Sequence, residues 1–441
     1  MEVPGERLTA ALALATIGCS SLFAWNALIT NSNYYAARFC GSGLARNFEA
    51  VFSVTYQATS LLATLAALRG ASLSPATRVV ACQVALAALF AGFTLLAWCD
   101  TIPRDIVFVP ATLIGVGLCG MLSQVLCSAS YGIAAMLPPR CMSAMMSGQA
   151  LGGLVPALIL VASDLTQGAP PAADDANACD VSPALTSNAV GYFATATVLY
   201  VCSVAAFRAL ERTALYREAV GDVGVAPVVT AEYNPINLDG DHLLLEPSAV
   251  KKRALVAEVV GISRAIAVPA LAIVAVFGVT LSTFPTLTAL SRLEGHADDD
   301  GGGSRLARLY VPLLFLLFNA GDFVGRVAAS FVPSWVERPR CLLAAALLRI
   351  GFVPLLALGT LSGSRLHPRG AAWLRSSAAA CAVNAAFSVS NGLAATLTMG
   401  AAAPLVAPHQ RELAGNLMSL FLTVGLNVGS VMSFAVLAVV Q

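Results

Sequence analysis

The chain has 441 residues, of which 58% are hydrophobic and only 11% charged, and its formal net charge is +1. Such a composition excludes a soluble globular domain, and the near-neutral balance gives no support to a nucleic-acid-binding reading. Eleven cysteines resemble a disulfide framework in number alone. Cys19, Cys82, Cys119, Cys127, Cys202 and Cys381 fall in apolar runs, where a thiol acts as a small hydrophobe.

Reading runs of about twenty apolar residues as membrane spans gives eleven, at 9–37, 47–68, 79–98, 106–135, 141–163, 187–207, 265–291, 309–332, 341–361, 372–400 and 412–440. The first run is too long for a cleavable signal peptide and leads straight into further spans. The Lys and Arg excess on alternate loops, which leans on Lys251-Lys252-Arg253, predicts a cytoplasmic N-terminus and an exterior C-terminus. Exterior loops then hold the acidic clusters Asp174-Asp175 and Asp298-Asp299-Asp300, and also Cys40 and Cys179, which leaves room for one bridge on an oxidising face.

In the first span, Trp25-Asn26 places a polar pair at mid-depth, where Asn26 needs either an interhelical partner or a ligand. The second carries Thr55, Tyr56, Gln57 and Thr59, with Thr55 and Thr59 on a face that Gln57 does not share. The fourth is rich in small residues (Gly115, Gly117, Gly120), holds Gln124, and ends at the tight turn Leu137-Pro138-Pro139-Arg140. The fifth opens with Met142, Met145 and Met146, then Ser147-Gly148-Gln149; Gly148 and Gly152 form a close-packing GxxxG pair beside the bulky polar Gln149.

The main composition shift follows the sixth span. Residues 212–262 read as a partly disordered cytoplasmic linker between an N-terminal six-helix bundle, 1–211, and a C-terminal five-helix bundle, 263–441. Within the linker, Asp239-Gly240-Asp241-His242-Leu243-Leu244 matches an acidic dileucine sorting pattern, a short and chance-prone address.

In the seventh span Phe284-Pro285 breaks the hydrogen-bond ladder, which is tolerated beside other helices or a watery cavity. The eighth contains the most informative stretch, Phe318-Asn319-Ala320-Gly321-Asp322-Phe323-Val324-Gly325-Arg326. Asp322 and Arg326 are four apart and share a helix face, which Asn319 joins. Gly321 and Gly325 let another helix approach. A carboxylate and a guanidinium at this depth cost roughly 2.5–3.5 kcal/mol each and mark transport or relay sites; a pair that only locks two helices is the competing reading. Arg349 in the ninth span is placed either to snorkel or to face a central path. The tenth adds Asn384, Ser388, Ser390, Asn391 and Gly392, and the eleventh Gly425, Asn427 and Gly429. Both halves thus bring polar side chains to mid-depth.

Enzyme readings fare badly. His242, His296, His367 and His409 fall in loops or at a span edge, so no intramembrane zinc or haem site is built from them. Glu49 and Glu412 fall at span edges, so Asp322 is the only acid read as lying in the interior of a span, and an aspartyl dyad lacks its second carboxylate. No Walker loop is present to couple ATP hydrolysis. No cofactor or metal is expected. A solute carrier driven by gradients remains.

Phe318-Asn319 with Asp322, Gly325 and Arg326 resembles the signature of the equilibrative nucleoside transporter family (solute carrier family 29-like). Trp25-Asn26 with Ile29-Thr30, Ser147-Gly148-Gln149, Ser390-Asn391-Gly392, and Ala414-Gly415 with Gly425-Leu426 and Ser433-Phe434 are similar to the family's motifs in the first, fifth, tenth and last spans. The resemblance covers nearly the whole chain. It implies an all-α integral membrane protein with eleven transmembrane helices in a major-facilitator-type six-plus-five arrangement. The implied function is facilitated diffusion of purine and/or pyrimidine nucleosides by alternating access, with a proton-coupled nucleoside or nucleobase symporter as the alternative.

It also implies that Asp322 and Arg326 recognise the sugar, which agrees with an acceptor and a donor set suited to ribose hydroxyls and ring nitrogens. Ile29, Phe284, Pro285, Phe315 and Leu426 would be outer-gate and cavity-lining hydrophobes. Trp25, Asn26, Gln149, Asn319 and Asn391 complete the expected substrate-binding set. Two departures stand out. Ala24 replaces the family's proline before Trp25. The fourth-span glutamine that reads the nucleobase falls on Cys127, so either Gln124 takes its place one turn earlier or base recognition differs. The expected partners are a nucleoside or nucleobase and the lipid bilayer, with no nucleic acid, in a monomeric multi-pass protein of the plasma membrane or an endosomal or lysosomal membrane.

Overall fold

A computed structural model describes residues 4–44, 47–67, 73–99, 104–167, 181–221, 247–291, 305–360 and 376–440. The regular elements among them are all helical. In chain order they are α1 (Pro4–Thr30), α2 (Ser32–Phe39), α3 (Phe48–Ala67), α4 (Pro75–Trp98), α5 (Val109–Met136), α6 (Pro139–Gln167), α7 (Pro183–Glu211), α8 (Ala214–Gly221), α9 (Pro247–Ala265), α10 (Ala267–Thr283), α11 (Thr286–Ala289), α12 (Arg305–Ala329), α13 (Pro339–Leu348), α14 (Phe352–Thr360), α15 (Ser377–Gly400) and α16 (Arg411–Val440).

Among the described residues, 10 segments are long and apolar enough to cross a membrane. The second expected span is the helix α3, 20 residues long; its Thr55, Tyr56, Gln57 and Thr59 dilute its apolar character, and it is not among the ten. Three expected spans are interrupted. The first turns at Asn31 between α1 and α2. The seventh breaks at Phe284-Pro285, where proline removes a ladder donor. The ninth tightens into a three-residue 3-10 turn, Arg349–Gly351. The expected linker is helical at both described ends, in α8 and α9. Its Ala-, Leu- and Glu-containing ends favour helix. The dileucine pattern and the acidic clusters lie outside the described residues. So does Cys179; Cys40 is disulfide-bonded.

Glycine sets the tightest packing. A Cβ on Gly148 would overlap the backbone of Ala15, and one on Gly152 that of Cys19, so α6 lies against α1 through its GxxxG face. Gly325 and Gly392 press α12 against α15 in the same way, and Gly429 meets the α10 backbone at Gly278 and Phe277. The halves repeat one pattern: α1 with α6, α3 with α5 and α4 with α7 in the first, α10 with α16 and α12 with α15 in the second. The halves touch along α6–α12 and α5–α16.

Candidate functional site

The α6–α12 contact is built around a buried ion pair. Arg326 Nε donates to Asp322 Oδ2 at 2.7 Å, and the two residues are 5% and 6% exposed. Inside a low-dielectric bundle such a pair is tolerated when its remaining donors and acceptors are satisfied. Here they reach across the protein. Arg326 Nη1 donates to the Met146 carbonyl at 3.0 Å and to Gln149 Oε1 at 3.4 Å. On the other side, Asn391 Nδ2 donates to Asp322 Oδ1 at 2.7 Å. Gln149 continues the network into the first half: Tyr131 donates to its Oε1 at 2.6 Å, and its Nε2 donates to Ser21 Oγ at 3.3 Å and lies 3.9 Å from Cys127 Sγ. A polar line thus runs from α15 through α12 to α6, α5 and α1.

Other expected residues flank this line. Asn26 Nδ2 donates to the carbonyls of Leu22 and Gly152 at 3.0 and 3.3 Å, and Asn319 Nδ2 to the Phe315 carbonyl at 2.9 Å. Both amides border Gly153: a Cβ there would lie 2.6 Å from Asn319 Oδ1 and 3.9 Å from Asn26 Nδ2. Trp25 packs on Tyr56 with ring centroids 4.6 Å apart. Gln124 Nε2 reaches Ser419 Oγ on α16 at 3.4 Å, so it joins the halves separately from the Gln149–Cys127 contact. Thr55 and Thr59 face the glycines of α5.

Phe284 stacks on Phe318 at 3.8 Å and sits 5.0 Å from Phe315, an aromatic cluster confined to the second half. Leu426 packs into the main core, whereas Ile29 and Pro285 are exposed. The structure therefore brings Asp322, Arg326, Asn391, Gln149 and Cys127 into one network, gathers Asn26 and Asn319 beside it, and sets Ile29 and Pro285 apart at the expected outer end.

Toward the expected cytoplasmic end the halves close. Gly415 abuts Tyr131, Gly132 abuts Glu412 and Asn416, and Ser128 donates to Asn416 Oδ1 at 3.3 Å. Arg78 at the start of α4 pairs with Glu412 at the start of α16, 2.8 Å apart. Below this seam a cavity of about 290 Å³ opens between Met136, Leu137, Met142, Pro404 and Arg411.

Sequence reading missed Tyr131, Ser21, Ser419, Thr280 and the Arg78–Glu412 bridge. Only Glu412 left a usable signal, an acid at the first turn of an apolar helix. Arg349, left open between two placements, does not snorkel: it is buried against Val276, Thr280, Ser390 and Phe387.

The chain is 28% identical to human equilibrative nucleoside transporter 2 over 95% of its own length and 94% of that protein's. Against mouse equilibrative nucleoside transporter 1 it is 29% identical over 76% of this chain and 70% of the relative. Among solved structures it is similar to the major facilitator superfamily proton:xylose symporter XylE, with a TM-score of 0.51, 13% identity, and coverage of 99% of this chain and 95% of that one; the likeness shows the fold, a major-facilitator-type helical bundle. The family model described as Nucleoside transporter matches residues 113–438, well over half of the sequence, and the chain belongs to that family.

Proposed function

We propose that the chain carries purine and/or pyrimidine nucleosides across a membrane by facilitated diffusion, working as a monomer by alternating access. In this reading the N-terminal bundle is 1–211, the C-terminal bundle 263–441, and 212–262 a cytoplasmic linker. The observation that carries the proposal is the buried line Asn391–Asp322–Arg326–Gln149, which spans both halves through hydrogen bonds a substrate could replace. Asp322 offers lone pairs to sugar hydroxyls and Arg326 a fixed donor fork. Asn319, Asn26, Gln149 and Asn391 supply further polar contacts. Trp25, on its Tyr56 partner, gives a π-surface for a base, and Gln124 with Cys127 borders the base edge. Phe284, Phe315 and Leu426 form apolar wall, with Ile29 and Pro285 at the outer mouth.

Exposure of Ile29 and Pro285, together with the packed seam at Tyr131–Gly415, supports an outward-facing arrangement. The proton-coupled alternative is not favoured: both relatives are named equilibrative, and Asp322 is already engaged by Arg326 and Asn391. A plasma-membrane location is in keeping with the disulfide-bonded Cys40 near the expected outer face. Uptake of labelled adenosine and uridine by cells lacking their own carriers tests the proposal; it predicts saturable uptake, and no saturable uptake of any nucleoside or nucleobase would contradict it.

Gln124 is expected to set base preference. Gln124→Ala should change the ratios among adenosine, inosine, uridine and hypoxanthine by about tenfold, because a site built to hydrogen-bond discriminates strongly, and Cys127→Gln should shift them again. Unchanged relative rates in Gln124→Ala would reduce Gln124 to packing and move the base contact to Gln57 or Gln149.

A further inference from the structure

Arg349 is a second buried guanidinium for which the transport reading has given no role. It is 3% exposed, and its described hydrogen-bond partners are neutral. Nη1 donates to the Val276 carbonyl at 2.8 Å, Nη2 to Thr280 Oγ1 at 2.9 Å, and Nε to Ser390 Oγ at 3.1 Å. The guanidinium lies over the Phe387 ring, 4.8 Å from its centroid.

Thr280 is the informative partner. Its hydroxyl has one proton and two acceptors in reach: the Val276 carbonyl at 2.8 Å and Asn391 Oδ1 at 2.7 Å. Several other threonines bond back to their own helix, as Thr94 does to Phe90 and Thr423 to Ser419. At Thr280 the two lone pairs of the Val276 carbonyl are taken by Arg349 and by the helix's own Thr280 N–H, and Arg349 also occupies a lone pair of the hydroxyl. The remaining outlet for the proton is Asn391 Oδ1. That fixes the amide: with its oxygen held by Thr280, Asn391 turns its Nδ2 to Asp322 Oδ1 at 2.7 Å. A flipped amide would set an oxygen against the carboxylate.

We infer that Arg349 is a positioning residue for substrate binding: through Thr280 and Asn391 it fixes the orientation in which Asp322 presents its unused lone pairs. The inference rests on the nucleoside reading, and names the 3-10 turn of the ninth span as part of the binding apparatus rather than as a helix irregularity. Arg349 need not touch substrate.

The test is a binding cycle with labelled adenosine and uridine on purified protein, each variant first shown to elute as a monodisperse peak. Thr280→Val keeps the shape and leaves Arg349 in place; it should raise Kd about tenfold, about 1.4 kcal/mol. Thr280→Ser should restore Kd to within about twofold. In an Asn391→Ala background, Thr280→Val should add less than about twofold, since residues acting through one contact are non-additive. If Thr280→Val fails to purify, Arg349→Lys takes its place in the same cycle, with the same expected Kd and non-additivity. Wild-type Kd in Thr280→Val or its replacement, or effects that multiply fully with Asn391→Ala, would overturn the relay while the unmodified chain still bound. Absence of nucleoside binding by the unmodified chain would instead count against the transport reading itself.

Discussion

Asp322→Asn is expected to bring nucleoside uptake to background. Among the described residues the substitution removes the only anion in contact with Arg326, leaving a guanidinium that is 5% exposed beside carbonyl and amide partners. Breaking a buried pair by deleting one member costs about 3–5 kcal/mol, which corresponds to a loss of roughly 100-fold or more in any equilibrium that depends on it. It also places an amide opposite Asn391 Nδ2, which now donates to Asp322 Oδ1. Because such a loss could come from poor folding, the deciding measurement is nucleoside affinity of purified Asp322→Asn that still runs as a monodisperse peak. Undiminished affinity would mean that the pair only joins α12 to its neighbours.

Gly392→Ala is expected to have the next-largest effect, for a different reason. A Cβ at this position overlaps the backbone carbonyl oxygen of Asp322 and lies 2.8 Å from the Arg326 backbone nitrogen. The obstruction is helix backbone and cannot swing aside, so α12 and α15 must separate. Overpacking of this kind costs typically about 1–3 kcal/mol, and the separation would also pull Asn391, the adjoining residue, away from Asp322. Lower thermal stability and strongly reduced uptake should follow. Gly191→Ala on α7 is the control: a Cβ there meets nothing within 4 Å, and alanine favours helix, so stability should hold or rise. A Gly392→Ala protein as stable and active as the unmodified chain would contradict the packing account.

The parts of the site that lay on one helix were legible before any coordinates. Asp322 and Arg326 pair across one turn, and the glycines flanking them mark a close helix contact, because helical periodicity alone puts those side chains together. Contacts between helices were legible only as candidates. Gln149 stood out as a bulky polar group at a glycine face, yet no spacing rule ties it to Arg326, 177 positions away. The Arg78–Glu412 bridge joins residues 334 apart; Glu412 stands out as an acid in the first turn of an apolar helix, but nothing in either segment points to its partner. Thr280 was invisible for a chemical reason: a threonine in an apolar helix ordinarily satisfies its hydroxyl on its own backbone, so its turn toward Asn391 appears only once Arg349 is placed. The helical ends of the linker were missed because α8 is only 8 residues long and α9, with its mixed charged and apolar residues, shows too little apolar periodicity to count as an element.

The central claim is that the buried pair serves a carrier which equilibrates nucleosides rather than pumping them. Uptake of labelled adenosine and uridine into proteoliposomes, with and without an imposed pH gradient, tests it most directly. Saturable entry that levels off when inside and outside concentrations are equal, with the same plateau under both conditions, is the predicted result. Accumulation above the outside concentration that a protonophore abolishes would contradict it, and would make Asp322 the residue to examine as a proton site.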